Sequence, residues 1–446
     1  AVLHAVQDAL LGPDALPAYT GWTTPLWTWE WVAPAGGNWG MELIRVPQMW
    51  NLNRVVAKRT PIIWTGVIDT GFDQAHNDLK RRPQLAFNPD MVDDHGTHVA
   101  GIIGADYWDG EGMEGVNPFA GFVFSAPGFS RPGGALAKRR SWGAIFTQAL
   151  ILVADSVQKA GVMNVSMGYN WSEANIDATS SVPAQVVATH QGALLKLALD
   201  GLATRRPLPI VTASAGNDSD SGLGLQEARY ASPMCNAALE QGSTNIIVVE
   251  SVKYDAGEPG SATRSASSNV EAHISAPGEY LLSTVPTSSY TFGSGTSVAT
   301  AHVAGLVGYL FAVDPSLTVP QMRTALFDTS IPAGGGASNR IDAWAAVMEI
   351  DRVQGDDRVL KMMADIDDGT EDGNLRVDYD DHPDFPDFDE EDADGDGGLG
   401  DGNVDMSDFR VWRDWYLKIW KSDEAEFDGR EDHPKLDVND LSLIHI

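Results

Sequence analysis

The sequence predicts an α/β fold in three layers, a mostly parallel sheet with helices on both faces. Two patterns carry this prediction. Short apolar runs bounded by Gly, Pro or polar residues recur at 61–68, 162–167 and 210–215, each of the length expected for a buried parallel strand. Between and after them lie stretches with helical spacing, at 142–160 and 298–308. A third observation, the partition of charge, bounds the fold. The 446-residue chain has 62 acidic and 30 basic residues and a formal charge of −32. Residues 351–446 alone hold 31 acidic and 10 basic residues, a step that marks a domain boundary or a solvated tail.

Taken in order, each element has a local cause. Trp39-Gly40-Met41-Glu42-Leu43-Ile44 opens the domain. The run from Pro61 to Ile68 reads as a buried strand, and Asp69 follows at its C-terminal end, where open α/β sheets place ligands. Val99 to Ile103 continues as an apolar helix behind His95. The helical stretch at 142–160 leads to a strand at 162–167, and a further strand from Ile210 ends in Gly216-Asn217. Ser297 opens a helix rich in Ala and Gly, whose small side chains permit close packing. The free N–H groups at such a helix start favour developing negative charge. Trp344-Ala345-Ala346-Val347 reads as a closing helix.

Three segments carry chemistry: Ile68-Asp69-Thr70-Gly71, His95-Gly96-Thr97-His98-Val99-Ala100-Gly101 and Gly295-Thr296-Ser297. They supply an acid, an imidazole and a hydroxyl. A serine hydroxyl is a poor nucleophile until a neighbouring base takes its proton. Histidine can be that base because its pKa lies near neutrality. A buried carboxylate fixes the imidazole tautomer and stabilises the imidazolium that forms. Alone, Asp-Thr-Gly is a common turn and Gly-Thr-Ser is weaker still. Together, in the order Asp, His, Ser, they match the subtilisin arrangement of the triad.

On these residues the chain resembles the subtilisin-like serine peptidases, or subtilases. The resemblance runs from about residue 39 to about 347. It implies Ser297 as nucleophile, His95 as general base and acid, and Asp69 as orienting carboxylate, while His98 packs on the following helix. It also implies that Asn217 and the backbone N–H of Ser297 hold the oxyanion. Removing one such donor costs about 10²–10³ in turnover, a magnitude that comes from subtilisin itself. Ser166, Met167 and Gly168, with Ser214, Ala215 and Gly216, correspond to segments that pair with an extended substrate by strand addition. The alternative for Ser166-Met167-Gly168 alone is an ordinary strand end.

The chain departs from the family pattern in places. Val298 stands where Met usually follows the serine, which removes a side chain open to sulfoxide formation. Thr300-Ala301 replaces Ser-Pro, and Asn77 replaces Pro in His76-Asn77-Asp78-Leu79. Asp78 matches a carboxylate that binds calcium in many relatives, so a metal there is one of two readings. Asp218, beside Asn217, is either a determinant of preference for basic substrate residues or a solvated acid.

The strong acidity argues against nucleic-acid binding, which needs a basic surface. No run reaches the roughly twenty apolar residues of a membrane span. Cys235 is a single thiol, expected to be buried and inert. The chain starts at Ala1 without a signal-peptide pattern, so a processed or missing start is expected. Residues 1–36 are read as a propeptide remnant or N-terminal arm, 37–350 as the peptidase domain, and 351–440 as an acidic module. Leu441-Ser442-Leu443-Ile444-His445-Ile446 matches the translation of a sequencing adapter and is read as a possible artefact.

The acids of the module are patterned. Asp392, Asp394 and Asp396 alternate before Gly397, and Asp405 and Asp408 follow after a short insertion. Alternating carboxylates with a turn glycine suit calcium. The segment resembles dockerin modules, which implies a cohesin-like scaffold partner. A looser EF-hand-like repeat and an acidic disordered tail are the alternatives. The combined expectation is a secreted or cell-surface serine endopeptidase of bacterial type, acting on protein or peptide substrates. The rival is a catalytically inactive scaffold-docking protein on the same fold, against which the four intact site residues argue.

Overall fold

The computed structural model describes residues 39–359, except 54–55, 57–61, 88–89, 108–111, 127–160, 170–180, 206, 218–225, 256–260 and 356–358. The helix expected at 142–160, Asp218, and the calcium motifs at Asp392, Asp394, Asp396, Asp405 and Asp408 lie outside the described residues.

Two short helical segments open the described fold, α1 (Trp39–Leu43) and α2 (Val46–Met49). Then follow β1 (Ile63–Ile68), β2 (Gln84–Phe87), α3 (Asp94–Gly104), β3 (Ala120–Ser125) and β4 (Val162–Val165). Next come α4 (Ala184–Ala203), β5 (Ile210–Ser214), α5 (Pro233–Leu239) and β6 (Ile246–Tyr254). The remainder comprises β7 (Ala262–Arg264), β8 (Ile274–Pro277), β9 (Leu281–Val285), β10 (Ser289–Gly293), α6 (Thr296–Val313), α7 (Val319–Phe327) and α8 (Ala343–Gln354). The closing helix therefore runs past residue 350, where the sequence suggested a boundary.

Among the described residues eight strands form one sheet, in the order β2-β3-β1-β4-β5-β6-β7, with β8 also pairing with β6. Every pair is parallel except β6 with β7. The chain leaves β1 towards β3 on one side and later fills β4, β5 and β6 on the other. The order thus reverses at β1, and a crevice opens beyond its C-terminal end.

Alternation sorts the two faces. Ile68, Val165, Val211, Ala213, Ile246 and Val248 point into one apolar cluster with Leu195 and Leu199 of α4 and Met234 and Cys235 of α5. Helix α6 crosses the sheet, packing on β1, β4, β5, β6 and β8 and against α3. By length and hydropathy α6 could cross a membrane, but 94% of it is buried inside the domain, so its apolarity serves the core. Every residue of α6 is buried except Ser297.

Strand β4 ends at Val165, two residues short of the run expected from sequence. Beyond it the backbone bonds elsewhere: the Tyr169 N–H donates to Ala231 O at 2.8 Å. The β9–β10 hairpin, not foreseen in the sequence, lies on α3. The Ser283 and Thr284 hydroxyls donate to the His98 and Thr97 carbonyls, each at 2.7 Å.

Candidate active site

The acid is set by strand β1. Asp69 N–H donates to Ser125 O at 3.0 Å, which keeps the residue in line with the sheet. Its carboxylate is fully buried. Oδ1 accepts from His95 Nδ1 at 2.7 Å and from Thr70 N at 2.7 Å, and Thr70 Oγ1 lies 3.1 Å away. Among the described residues Oδ2 has no hydrogen-bond partner.

The imidazole is set by a helix start. His95 is the second residue of α3, and Asp93 caps that helix by accepting the His95 N–H at 3.0 Å. Gly96 must be glycine, because a Cβ there would lie 2.1 Å from the Gly71 carbonyl oxygen. With Nδ1 committed to a carboxylate, Nε2 is left as the basic nitrogen. Burial of the ring favours its neutral form, but the Asp69 charge and hydrogen bond and the Asp93 charge outweigh it. The His95 pKa is raised as a result. His98 is buried with Nε2 3.2 Å from Leu281 O, and burial lowers its pKa to about 4.

The hydroxyl sits at the N-terminal turn of α6. In this resting arrangement Ser297 Oγ donates to Ser166 O at 3.3 Å. Ser166 in turn donates its own hydroxyl to Ser297 O at 3.0 Å and accepts from Asn164 Nδ2 at 2.9 Å. Asn164 and Thr212 are buried beneath the site, with Thr212 Oγ1 3.3 Å from Asn164 Oδ1.

Asn217 lies just beyond β5. Its Oδ1 accepts from Thr296 N at 3.0 Å and Thr296 Oγ1 at 3.1 Å, which leaves Nδ2 as the outward donor. Thr296 Oγ1 also accepts the Gly216 N–H at 3.2 Å. Gly295 adopts φ +139°, and a Cβ there would press on Asn217 Nδ2 at 3.1 Å. Thr296 was not singled out in the sequence, although it stands between two quoted motif residues. Its role shows only through this contact.

Met167 is half-buried against the apolar cluster, and Gly168 is exposed beside Ala231. Ser214 and Ala215 are buried and Gly216 is half-buried. Cys235 is buried under this edge and donates Sγ–H to Ser214 O at 3.1 Å.

Asp78 is also buried, and its Oδ2 accepts the Met113 N–H at 2.9 Å. Among the described residues no group of three or more His, Cys, Asp or Glu side chains gathers as a metal site. The Asp78 carboxylate thus serves a backbone amide on the loop at Met113.

A buried acid on a strand end, an imidazole on one helix start and a hydroxyl on another, all at the carboxyl edge of a parallel sheet, define a serine peptidase of α/β type. The Subtilase family model matches residues 63–355, and the chain belongs to that family of serine endopeptidases. An "Intracellular serine protease" of Paenibacillus polymyxa is 28% identical over 344 residues, covering 73% of this chain and 90% of that protein. Thermitase of Thermoactinomyces vulgaris is 26% identical over 322 residues, covering 69% and 95% respectively. The crystal structure of the A-subunit of the AB5 toxin from E. coli matches with a TM-score of 0.50 at 18% identity. The match covers 70% of this chain and 99% of that one, and it shows the fold alone.

Proposed function

We propose that the chain hydrolyses peptide bonds through Asp69, His95 and Ser297, with Asn217 Nδ2 and the Ser297 N–H as oxyanion donors. The observation that carries this reading is the 2.7 Å contact between His95 Nδ1 and Asp69 Oδ1. Ser297, the single incompletely buried residue of α6, supports the same reading.

The steps follow from those atoms. Ser297 Oγ gives its proton to His95 Nε2 as it bonds to the substrate carbonyl carbon. The carbonyl oxygen becomes an oxyanion between Asn217 Nδ2 and the Ser297 amide. Both donors are fixed beforehand, so little reorganisation is needed as charge develops. The imidazolium, steadied by Asp69, then protonates the leaving amine as the C–N bond breaks. Water repeats the sequence on the acyl-enzyme and releases Ser297. An extended peptide would pair with Ser166, Met167 and Gly168 on one side and Ser214, Ala215 and Gly216 on the other.

The acidic module is proposed to bind calcium through Asp392, Asp394, Asp396, Asp405 and Asp408. Hard oxygen donors at alternating positions suit that ion, which would neutralise their mutual repulsion. A cohesin-like scaffold is the partner this module would suit. Action outside the cell is part of the same proposal, and the acidic module supports it. The Paenibacillus relative bears the name of an intracellular protease, so fractionation of the source cells decides the location.

Labelling with a fluorophosphonate and hydrolysis of casein test the core of the reading. The parent protein should label and cleave, and Ser297→Ala should do neither. His95→Ala should be about as severe, because the triad acts as a unit. Labelling of Ser297→Ala at the parent level would overturn the assignment.

A further inference from the structure

Asp69 and His95 are joined by a second connection, which runs through Asp93, a residue outside the quoted motifs. Thr70, directly after Asp69, donates its hydroxyl to Asp93 Oδ1 at 2.6 Å. The same Asp93 oxygen accepts the His95 N–H at 3.0 Å. Thr70 N–H donates to Asp69 Oδ1 at 2.7 Å, and that oxygen holds His95 Nδ1. A ring of contacts therefore runs from Asp69 through Thr70 and Asp93 to the backbone of His95 and back through its imidazole. The carbonyl of Asp93 is also used, accepting Thr97 Oγ1 at 2.7 Å.

We propose that Asp93 is a positioning residue for the triad, tying the start of α3 to the end of β1 and placing a negative charge beside the imidazole. The proposal rests on the triad reading above and deepens it. A helix start that could slide relative to β1 would let His95 Nδ1 drift from Asp69. The oxygen of Asp93 prevents this by holding both elements at once. Its charge adds to that of Asp69 in favouring the protonated ring.

The surroundings make Asp93 the natural second charge. From β1 and the loop after it, Asp69 and Asp73 face α3, Asp73 through its N–H bond to Thr97 Oγ1 at 2.9 Å. On α3 itself stand Asp94 and His98. From α6 comes His302, which is buried, and burial lowers both His98 and His302 to about 4, so these two are neutral at working pH. The β9–β10 hairpin packed on α3 carries no charged side chain; its titratable group, Tyr290, lies against His76.

Two substitutions separate the roles. In Asp93→Asn the amide oxygen can still accept from Thr70 and His95, and only the charge is lost. In Asp93→Ala both are lost. The measurement is the pH profile of kcat/KM on a peptide substrate, at low salt and at about 1 M salt. The parent is first checked for Ser297-dependent fluorophosphonate labelling, so that failure of the triad reading is seen separately. Asp93→Asn should move the acid limb down by about 0.2–0.7 pH unit at low salt, the size expected of an exposed charge pair, and the shift should shrink at high salt. Asp93→Ala should show the same limb shift together with a several-fold lower plateau kcat, largely restored in Asp93→Asn. An Asp93→Asn limb that coincides with the parent at low salt would overturn the proposal. So would an Asp93→Ala plateau equal to the parent.

Discussion

Thr296 offers a sharp test of how the proposed oxyanion site is built. Its hydroxyl and its amide are the two recorded donors to Asn217 Oδ1, at 3.1 and 3.0 Å. Thr296→Val keeps the shape of this fully buried side chain and the amide bond, and removes only the hydroxyl. One such hydrogen bond is worth about 1 kcal/mol, and 1 kcal/mol of barrier is about a fivefold change in kcat. Loss of the oxyanion donor itself, in Asn217→Ala, should cost about 10²–10³. Thr296→Val should therefore lose about five- to tenfold in kcat with little change in KM. If Thr296 acts through Asn217, the double variant Thr296→Val/Asn217→Ala should be no slower than Asn217→Ala alone. The assay is steady-state hydrolysis of a chromogenic peptide well below the unfolding temperature. That margin matters because the Gly216 N–H also loses its acceptor, which lowers stability. Losses that multiply in the double variant, or a parental kcat in Thr296→Val, would refute the reasoning.

Three further outcomes are expected. Burial lowers His98, His273 and His302 to about 4 in the folded protein, against about 6.5 unfolded. The unfolded chain then binds more protons between those values, so stability is full above about pH 6.5 and falls as pH drops towards 4. Calorimetric Tm values across that range should show the fall, and His302→Gln should flatten it if the variant folds. Glu250, fully buried on β6, accepts from Ala272 N at 2.9 Å, Ser338 N at 2.9 Å and Ser338 Oγ at 3.1 Å. Glu250→Ala orphans these donors and should cost about 3 kcal/mol or more in denaturant unfolding, with Glu250→Gln milder. In the acidic module, the full chain should bind calcium by titration calorimetry, and Asp394→Ala with Asp396→Ala should reduce the number of sites. Binding unchanged in that variant would remove the motif as the site.

The parts of the fold legible in the sequence were those with a one-dimensional signature. The run 63–68 is apolar and bounded by breakers, and it is β1. The run 210–214 is β5 for the same reason. The spacing of small and apolar residues after Ser297 gave α6, since a helix buried on all sides needs no polar face. What escaped has its cause in three dimensions. Glu250 interrupts a buried strand and makes sense only with the loop at Ser338 folded over it. Asn164 and Thr212 read as weak strand residues, yet they form the polar floor under Ser166. The β9–β10 hairpin turns at Thr287-Ser288, both with positive φ (68° and 53°) and neither Gly nor Asn, so the usual turn signal is absent. The turn is held instead by Asp73 Oδ2 accepting Thr287 N–H at 2.8 Å.

The two helix starts at the site pose opposite electrostatic problems. Ser297 lies in the first turn of α6, where free N–H groups carry partial positive charge and favour an oxyanion. His95 occupies the same position in α3, where that field works against the imidazolium the proposed mechanism must form. A helix start thus suits Ser297 as the proposed nucleophile and opposes His95 as the proposed base. The sequence answers this with acids around the base alone. Asp69 bonds the ring directly, and Asp93 and Asp94 precede it, with Asp93 also capping the helix. The first turn of α6 holds Thr296 and Ser297 with no acid at all. An acid there would repel the oxyanion, whereas at α3 it offsets the helix field and raises the imidazole pKa. The net upward direction for His95, against its own burial, comes from the Asp69 charge and hydrogen bond and from the Asp93 charge.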